Sequence, residues 1–260
     1  MRNSSPEYRE MTELERIRTE LLKSIEFDDA YPPTEFTSLL ITAGSIRIES
    51  RISEGLRCNV IAELGAKEGY AGLCLFVAHK CQSLVATDIF EHRVDMIKRN
   101  FAKFGLPADS VILSRPNEWF PTELSVAHID IFLANPPSIP KPENLVCHIE
   151  DMFVYFAGRD GRLYLSQLIQ QASQKLTAES DLIVVGTDYV LDEWIEEACA
   201  ANSLKATAIL RQPCFSGKDG VDFLIREHIK SELGWRKFQE SDDGIYFEKV
   251  AYLICKNNRK

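Results

Sequence analysis

The chain has no Cys-x-x-Cys pair, no apolar run long enough to cross a bilayer, no internal repeat and no low-complexity tract. Each absence excludes something. The seven cysteines (Cys58, Cys74, Cys81, Cys147, Cys199, Cys214 and Cys255) are odd in number and scattered, several inside apolar runs. Neither a zinc site nor a disulfide framework is indicated, and they read as reduced core residues of a cytosolic protein. Met1 to Glu7 lack a signal-peptide apolar region, so a cytoplasmic location and no membrane partner are expected. Positive charge is scarce. With 30 Lys and Arg against 39 Asp and Glu, the net charge is -9, which leaves no overall electrostatic footprint for nucleic acid. A local basic patch could still bind one, so nucleic acid is possible but not favoured. Oligomeric state is not legible. What is present is globular: 45% hydrophobic and 27% charged residues over 260 positions suit one α/β domain with an extension, or at most two domains.

Strands and helices alternate in the manner of a doubly wound sheet. A helix is predicted from Thr12, whose Thr12-x-x-Glu15 pattern is a capping box, with Leu14, Ile17, Leu21 and Ile25 on one stripe. After a break at Asp28 to Pro33, a second helix passes through Leu39-Leu40-Ile41. Asn59 to Ala62, Leu84 to Ala86, Val111 to Leu113, Ile129 to Ala134 and Leu182 to Val185 read as buried strands. Helices fall at Gly69 to Val77, over Val94, Ile97, Phe101 and Phe104, and over Leu165, Leu168, Ile169, Ala172 and Leu176. The ending differs. Ala206 to Leu210 and Val250 to Ile254 read as strands, but the residues between them hold too little helical pattern for a clean right-handed crossover.

Asn135-Pro136-Pro137 follows the fourth strand, and ligand sites in open α/β sheets lie beyond the carboxyl ends of strands. Asn135 and Pro136 each precede a proline and are pushed out of the helical region, while both prolines have fixed φ. Such a stiff loop could present the Asn135 carboxamide and the Pro136 carbonyl as two converging acceptors, which suits an NH2 group. The bland alternative is a strand-to-loop breaker. Glu63-Leu64-Gly65-Ala66-Lys67-Glu68-Gly69 joins the first strand to its helix, where glycine permits a tight turn and the helix offers free N–H groups. Asp88 ends the second strand, a place where a carboxylate takes ribose hydroxyls. This pair suits any adenosine-containing cofactor. The bland alternatives are an ordinary strand-to-helix turn and, for Asp88, a helix N-cap ahead of Glu91.

Together these residues resemble the class I S-adenosylmethionine-dependent methyltransferases, and within them the HemK-like N-methyltransferases that carry an Asn-Pro-Pro-aromatic motif. Tyr31-Pro32-Pro33-Thr34-Glu35-Phe36-Thr37-Ser38-Leu39-Leu40 resembles the Tyr-x-Pro-x-Glu-Asp-Thr-x-Leu-Leu segment of the eukaryotic and archaeal branch. Ile131 to Pro137 resembles the family's catalytic strand and loop, and Phe156-Ala157-Gly158-Arg159-Asp160-Gly161-Arg162 its Gly-Gly-Arg-Asp-Gly-Arg stretch. The resemblance implies an α/β, Rossmann-like fold: a seven-stranded, mostly parallel sheet with an antiparallel last strand and helices on both faces. The chain divides into an N-terminal helical extension over 1–50 (a lid, a dimer element or merely packing) and a catalytic domain over 51–260, in which 211–248, with one helix around Phe223 to Leu233, is a candidate insertion or, more simply, a plain solvated excursion.

The resemblance also implies a cofactor, S-adenosyl-L-methionine, and a residue for each part of it. Glu63, Gly65, Ala66 and Gly69 would shape the pocket for the methionine end and adenosine. Asp88 would take the ribose hydroxyls, Ile89 would pack near the adenine, and Asn117 would meet the adenine amine. Tyr31, Glu35 and Thr37 would close over the methionine moiety. Asn135 and Pro136 would be catalytic, accepting both N–H hydrogens of the target so that its lone pair faces the methyl group; Asn135 would also border the cofactor, and Pro137 and Ser138 would touch substrate. Arg159-Asp160-Gly161 reads as structural, a charged turn and helix start.

Two residues depart from the family pattern. Lys67 replaces its central glycine, at a cost of about 1–2 kcal/mol if φ there is positive. Ser138 replaces the aromatic that packs against a flat target group; Phe153, Tyr155 or Phe156 could supply a ring, although that stripe also fits a core. Four readings stay open: an N-methyltransferase acting on a protein glutamine, another macromolecular NH2 group or a base; a small-molecule methyltransferase; a non-catalytic partner-binding protein of the same fold; and, most distantly, a nicotinamide oxidoreductase.

Overall fold

Thr12 closes the capping box that its spacing predicts: its side chain accepts from the Glu15 N–H, and the Glu15 carboxylate accepts from the Thr12 N–H at 2.7 Å. From that cap runs α1 (Glu13–Ser24), with Ile17 and Leu21 buried. The computed structural model describes residues 12–27, 33–125, 128–142, 145, 153–217, 239–241 and 244–257. The helix expected around Phe223 to Leu233 lies outside them.

The remaining elements follow in chain order: α2 (Glu35–Ser53), β1 (Val60–Leu64), α3 (Tyr70–His79), β2 (Ser83–Asp88), α4 (Glu91–Ala102), β3 (Val111–Leu113) and β4 (Ile131–Ala134). After these come α5 (Leu163–Lys175), β5 (Asp181–Thr187), α6 (Asp188–Leu191), α7 (Trp194–Ala201), β6 (Leu204–Gly217), β7 (Gln239–Ser241) and β8 (Gly244–Lys256). The strands lie in the order β3-β2-β1-β4-β5-β8-β6. The first five are parallel, and β8 runs antiparallel to both β5 and β6. This is the expected mostly parallel sheet with its antiparallel last strand; β7 is an added three-residue strand on β8.

Alternation along the central strands explains the two covered faces. Ile131, Leu133, Ile183 and Val185 point into one core with α1 to α4, while Phe132, Ala134, Leu182 and Val184 point into the other with α5 to α7. Strands buried on both sides read as continuous apolar runs, which is why β4 and β5 were legible. β6 and β8 run longer than their apolar centres indicated, pairing from Leu204 with Lys256 to Gly217 with Gly244. Both ends of 211–248 are therefore strand.

α2 lies over β4, β5, β8 and β6, running from the carboxyl to the amino ends of the parallel strands, and continues past residue 50. Near its end Arg47 and Arg51 both donate to Asp181, at 2.8 and 2.9 Å, and Arg51 reaches Asp130 at 3.4 Å. Asp181 is fully buried, so this cluster pins α2 to the amino ends of β4 and β5. The first turns of α2 are thereby held over the opposite, carboxyl ends. Among the described residues no helix is long and apolar enough to cross a membrane.

Candidate active site

The chain builds β1, β2 and β3 outward in one direction and then returns to place β4 on the other side of β1, so the sheet reverses between β1 and β4. Crevices for ligands open at such reversals, beyond the carboxyl ends of the strands. Leu64 is the register partner of both Thr87 and Ala134. The residues that follow, Asp88, Gly65 and Asn135, therefore leave three adjacent strands side by side.

A cavity of about 390 Å³ opens there. Of the residues singled out from the sequence, Thr37, Glu63, Gly65, Ala66, Asp88, Ile89 and Asn117 line it, together with the whole Asn135-Pro136-Pro137-Ser138 corner. Two others, Glu35 and Gly69, do not join them. Tyr31 lies outside the described residues. Glu35 is an exposed helix start whose carboxylate pairs with the ammonium of Lys249. Gly69 is the N-cap of α3 at φ +77°, and a Cβ there would come within 2.7 Å of the Phe101 ring, so packing explains this glycine.

The first turn is tight. Gly65 (φ +66°) and Lys67 (φ +59°) are both left-handed, and the Lys67 N–H donates to the Asp88 carboxylate at 2.8 Å. That conformation suits Gly65 and strains Lys67. Asp88 does not cap α4: Phe90 is the N-cap, and Asp88 instead accepts from the Phe90 N–H at 3.1 Å. Burial raises its carboxyl above the ordinary range, against the opposing pull of Arg93 and of its backbone donors. Glu63 lies on the adjacent strand β1 and is likewise buried. It accepts from the Gly72 N–H at 2.7 Å, and burial pushes its carboxyl up to about 8.

After β3, Asn117 is left-handed at φ +66°. The Gln171 side chain of α5 clamps this turn, donating to the Asn117 carbonyl at 2.7 Å and accepting from the Trp119 N–H at 2.9 Å. The neighbouring Glu118 and Trp119 also line the cavity. The buried side-chain atoms Ser114 Oγ, Trp119 Nε1 and Thr187 Oγ1, in lining residues, have no hydrogen-bond partner among the described residues. Such orphaned groups are costly without a partner.

Sequence reasoning missed several lining residues. Thr187 was findable, because it ends β5 and every carboxyl end of a parallel strand borders the crevice. Phe247 gave no signal: it arrives on the antiparallel β8, where it meets Tyr189 at 5.7 Å between ring centroids. Phe153 and Tyr155 line the cavity, whereas Phe156 is turned into the core. The Arg159-Asp160-Gly161 turn is a support for the loop: a Cβ on Gly161 would meet the Ser138 carbonyl.

No family model matches the sequence, and none of the curated proteins does. Solved structures do. A candidate RNA methyltransferase of Pyrococcus horikoshii superposes with a TM-score of 0.55 at 14% identity, covering 95% of this chain and 98% of that one. A methyltransferase of Pyrococcus furiosus gives 0.49 at 14% identity, over 88% and 87% of the two chains. The Mtq2–Trm112 complex of E. cuniculi, responsible for methylating the termination factor eRF1, gives 0.46 at 14% identity, over 85% and 96%. Identities this low speak to fold alone, and the first superposition carries that argument: the chain has the Rossmann-like class I methyltransferase fold.

Proposed function

We propose that this protein is an S-adenosylmethionine-dependent methyltransferase acting on an NH2 nitrogen. One observation carries the reading: Asp88, Gly65 and Asn135, far apart in sequence, emerge side by side at the sheet reversal and line one cavity.

The residues present fit the cofactor. Asp88 offers a buried carboxylate to ribose hydroxyls. Gly65 leaves open the space a side chain would fill, where among the described residues the Trp119 ring alone lies within 4 Å of a Cβ. Glu63 and Thr37 would border the methionine end, with Ile89 and Asn117 near the adenine. When bound, the cofactor supplies an electrophilic methyl group on a sulfonium.

The chain's own work is at the acceptor. The lone pair of a carboxamide or ring-amine nitrogen is delocalised, which makes it a poor nucleophile. Asn135 Oδ1 and the Pro136 carbonyl would each accept one N–H, turning the lone pair outward and stabilising positive charge as it develops on nitrogen. Proline geometry fixes in advance the backbone that carries both acceptors, which limits reorganisation during the reaction. Pro137 and Ser138 continue the corner along the substrate side. The substrate is thus an NH2-bearing group of a protein, a nucleic acid or a small molecule, met in the cytoplasm.

Calorimetric titration with S-adenosylmethionine, S-adenosylhomocysteine and NAD tests the cofactor. Saturable heat with both adenosyl ligands and none with NAD is expected; the absence of adenosyl binding sinks the enzyme reading.

A further inference from the structure

Ser138 stands where the resembled family has a ring, yet the loop is not without one. The Ile139 N–H donates to the Tyr155 carbonyl at 2.9 Å and the Ala157 N–H donates to the Ile139 carbonyl at 3.0 Å, forming a parallel bridge between Ile139 and Phe156. In that register Ser138 lies beside Tyr155. Phe156, at 7% exposure, is turned into the core, whereas Tyr155, at 37%, lines the cavity with Ser138.

We propose that Tyr155 is a specificity-determining residue, supplying across this bridge the flat wall against which a heteroaromatic amine stacks while its NH2 is held at Asn135 and Pro136. This rests on the methyl-transfer reading above. The surroundings favour a heteroaromatic ring over a carboxamide. A carboxamide is a small plane that one ring covers, and this cavity is lined by several rings. Phe153 packs with Tyr164 at 6.4 Å on the side of the bridge, and Tyr189 packs with Phe247 on the side of β5 and β8. All four line the cavity. A heteroaromatic amine has two π faces to offer such walls, and stacking of this kind tolerates different bases.

The test uses protein saturated with S-adenosylhomocysteine, probed by ligand-observed NMR with adenine, cytosine and N-acetylglutamine amide, and then with adenosine, cytidine and short single-stranded RNA. Adenine or cytosine should bind, with Tyr155→Ala weakening it at least tenfold and Tyr155→Phe retaining it. The double variant Ser138→Tyr/Tyr155→Ala should recover most of the loss, because the ring returns from the neighbouring register position; a merely structural role for Tyr155 would not be rescued in this way. Binding of the nucleosides points to a free metabolite, and binding of RNA with no nucleoside response to a base in a chain; both support a ring amine. Binding of N-acetylglutamine amide alone overturns the proposal, as does a base affinity unchanged in Tyr155→Ala or a double variant no better than the single one. Titration of each variant with S-adenosylhomocysteine checks folding. If that ligand binds and no base does, this proposal fails while the cofactor assignment stands; if it fails to bind wild type, the methyltransferase reading fails first.

Discussion

A Cβ placed on Gly161 would sit 2.5 Å from the carbonyl oxygen of Ser138 and 3.1 Å from side-chain carbons of Pro140 and Val190. Gly161 is also left-handed, at φ +76°. The Asp160 carboxylate accepts from the Arg162 N–H at 3.0 Å, and Arg162 in turn donates to the Val190 carbonyl at 3.1 Å, so the turn is held against α6 while it supports the loop after β4. Its contribution is to keep the diproline corner facing the cavity.

Gly161→Ala should therefore harm both stability and the site. Left-handed strain and the backbone contact together are expected to cost about 1–3 kcal/mol. Chemical denaturation would show this as a lowered midpoint at unchanged slope, with methyl transfer falling more than the folded fraction accounts for. A Gly161→Ala variant with wild-type midpoint and activity would refute the support role.

Asn135→Ala removes one of the two preorganised acceptors. Turnover should fall about a hundredfold or more while S-adenosylhomocysteine affinity changes little. The check is single-turnover transfer of labelled methyl beside a calorimetric titration of the same variant. Undiminished turnover would dismiss the role assigned to the corner.

Lys67 holds a conformation in which a side chain is strained, and what it gives Asp88 is a backbone N–H that glycine also has. Lys67→Gly should raise stability by about 1 kcal/mol and leave cofactor affinity intact. Urea unfolding and the adenosyl titration read the two effects separately. A loss of affinity on this change would show that the lysine side chain itself contacts the ligand.

Glu63 sets a pH dependence. Its carboxyl is raised to about 8 in the folded chain, largely by burial, whereas in the unfolded chain it ionises near the usual 4.5. Between those values the folded state holds a proton that the unfolded state has released. Stability therefore falls as pH rises from about 4.5 to about 8 and levels off above, the reverse of a salt-bridged carboxylate. Glu63→Gln should flatten this slope and unfold at a higher midpoint than wild type at pH 8. Equal slopes for the two proteins between pH 5 and 8 would contradict the buried protonated state.

Much of the fold was legible because β1, β4 and β5 are buried on both faces and announce themselves as continuous apolar runs. β8 was harder: only its apolar centre around Val250 to Ile254 carried that signal, and the strand extends back to Gly244 through residues of mixed polarity. Glu35 shows the limit at the site. Its place in a recognisable segment suggested a ligand contact, but Lys249, 214 positions away, holds its carboxylate. Long-range pairing of that kind leaves no local pattern.

By itself the sequence determined the order of the elements, the turn after β1, the carboxylate at the end of β2 and the stiff Asn135-Pro136-Pro137 corner. These follow from side-chain period, from glycine and proline geometry, and from short-range chemistry, all of which act over a few residues. Only the tertiary structure decided that Asp88, Gly65 and Asn135 stand together, that burial raises the Glu63 carboxyl, and that Tyr155 lies beside Ser138. Strand register, burial and the left-handed turn at Gly161 settle those points, and each depends on segments that meet only when the sheet closes its order around β1.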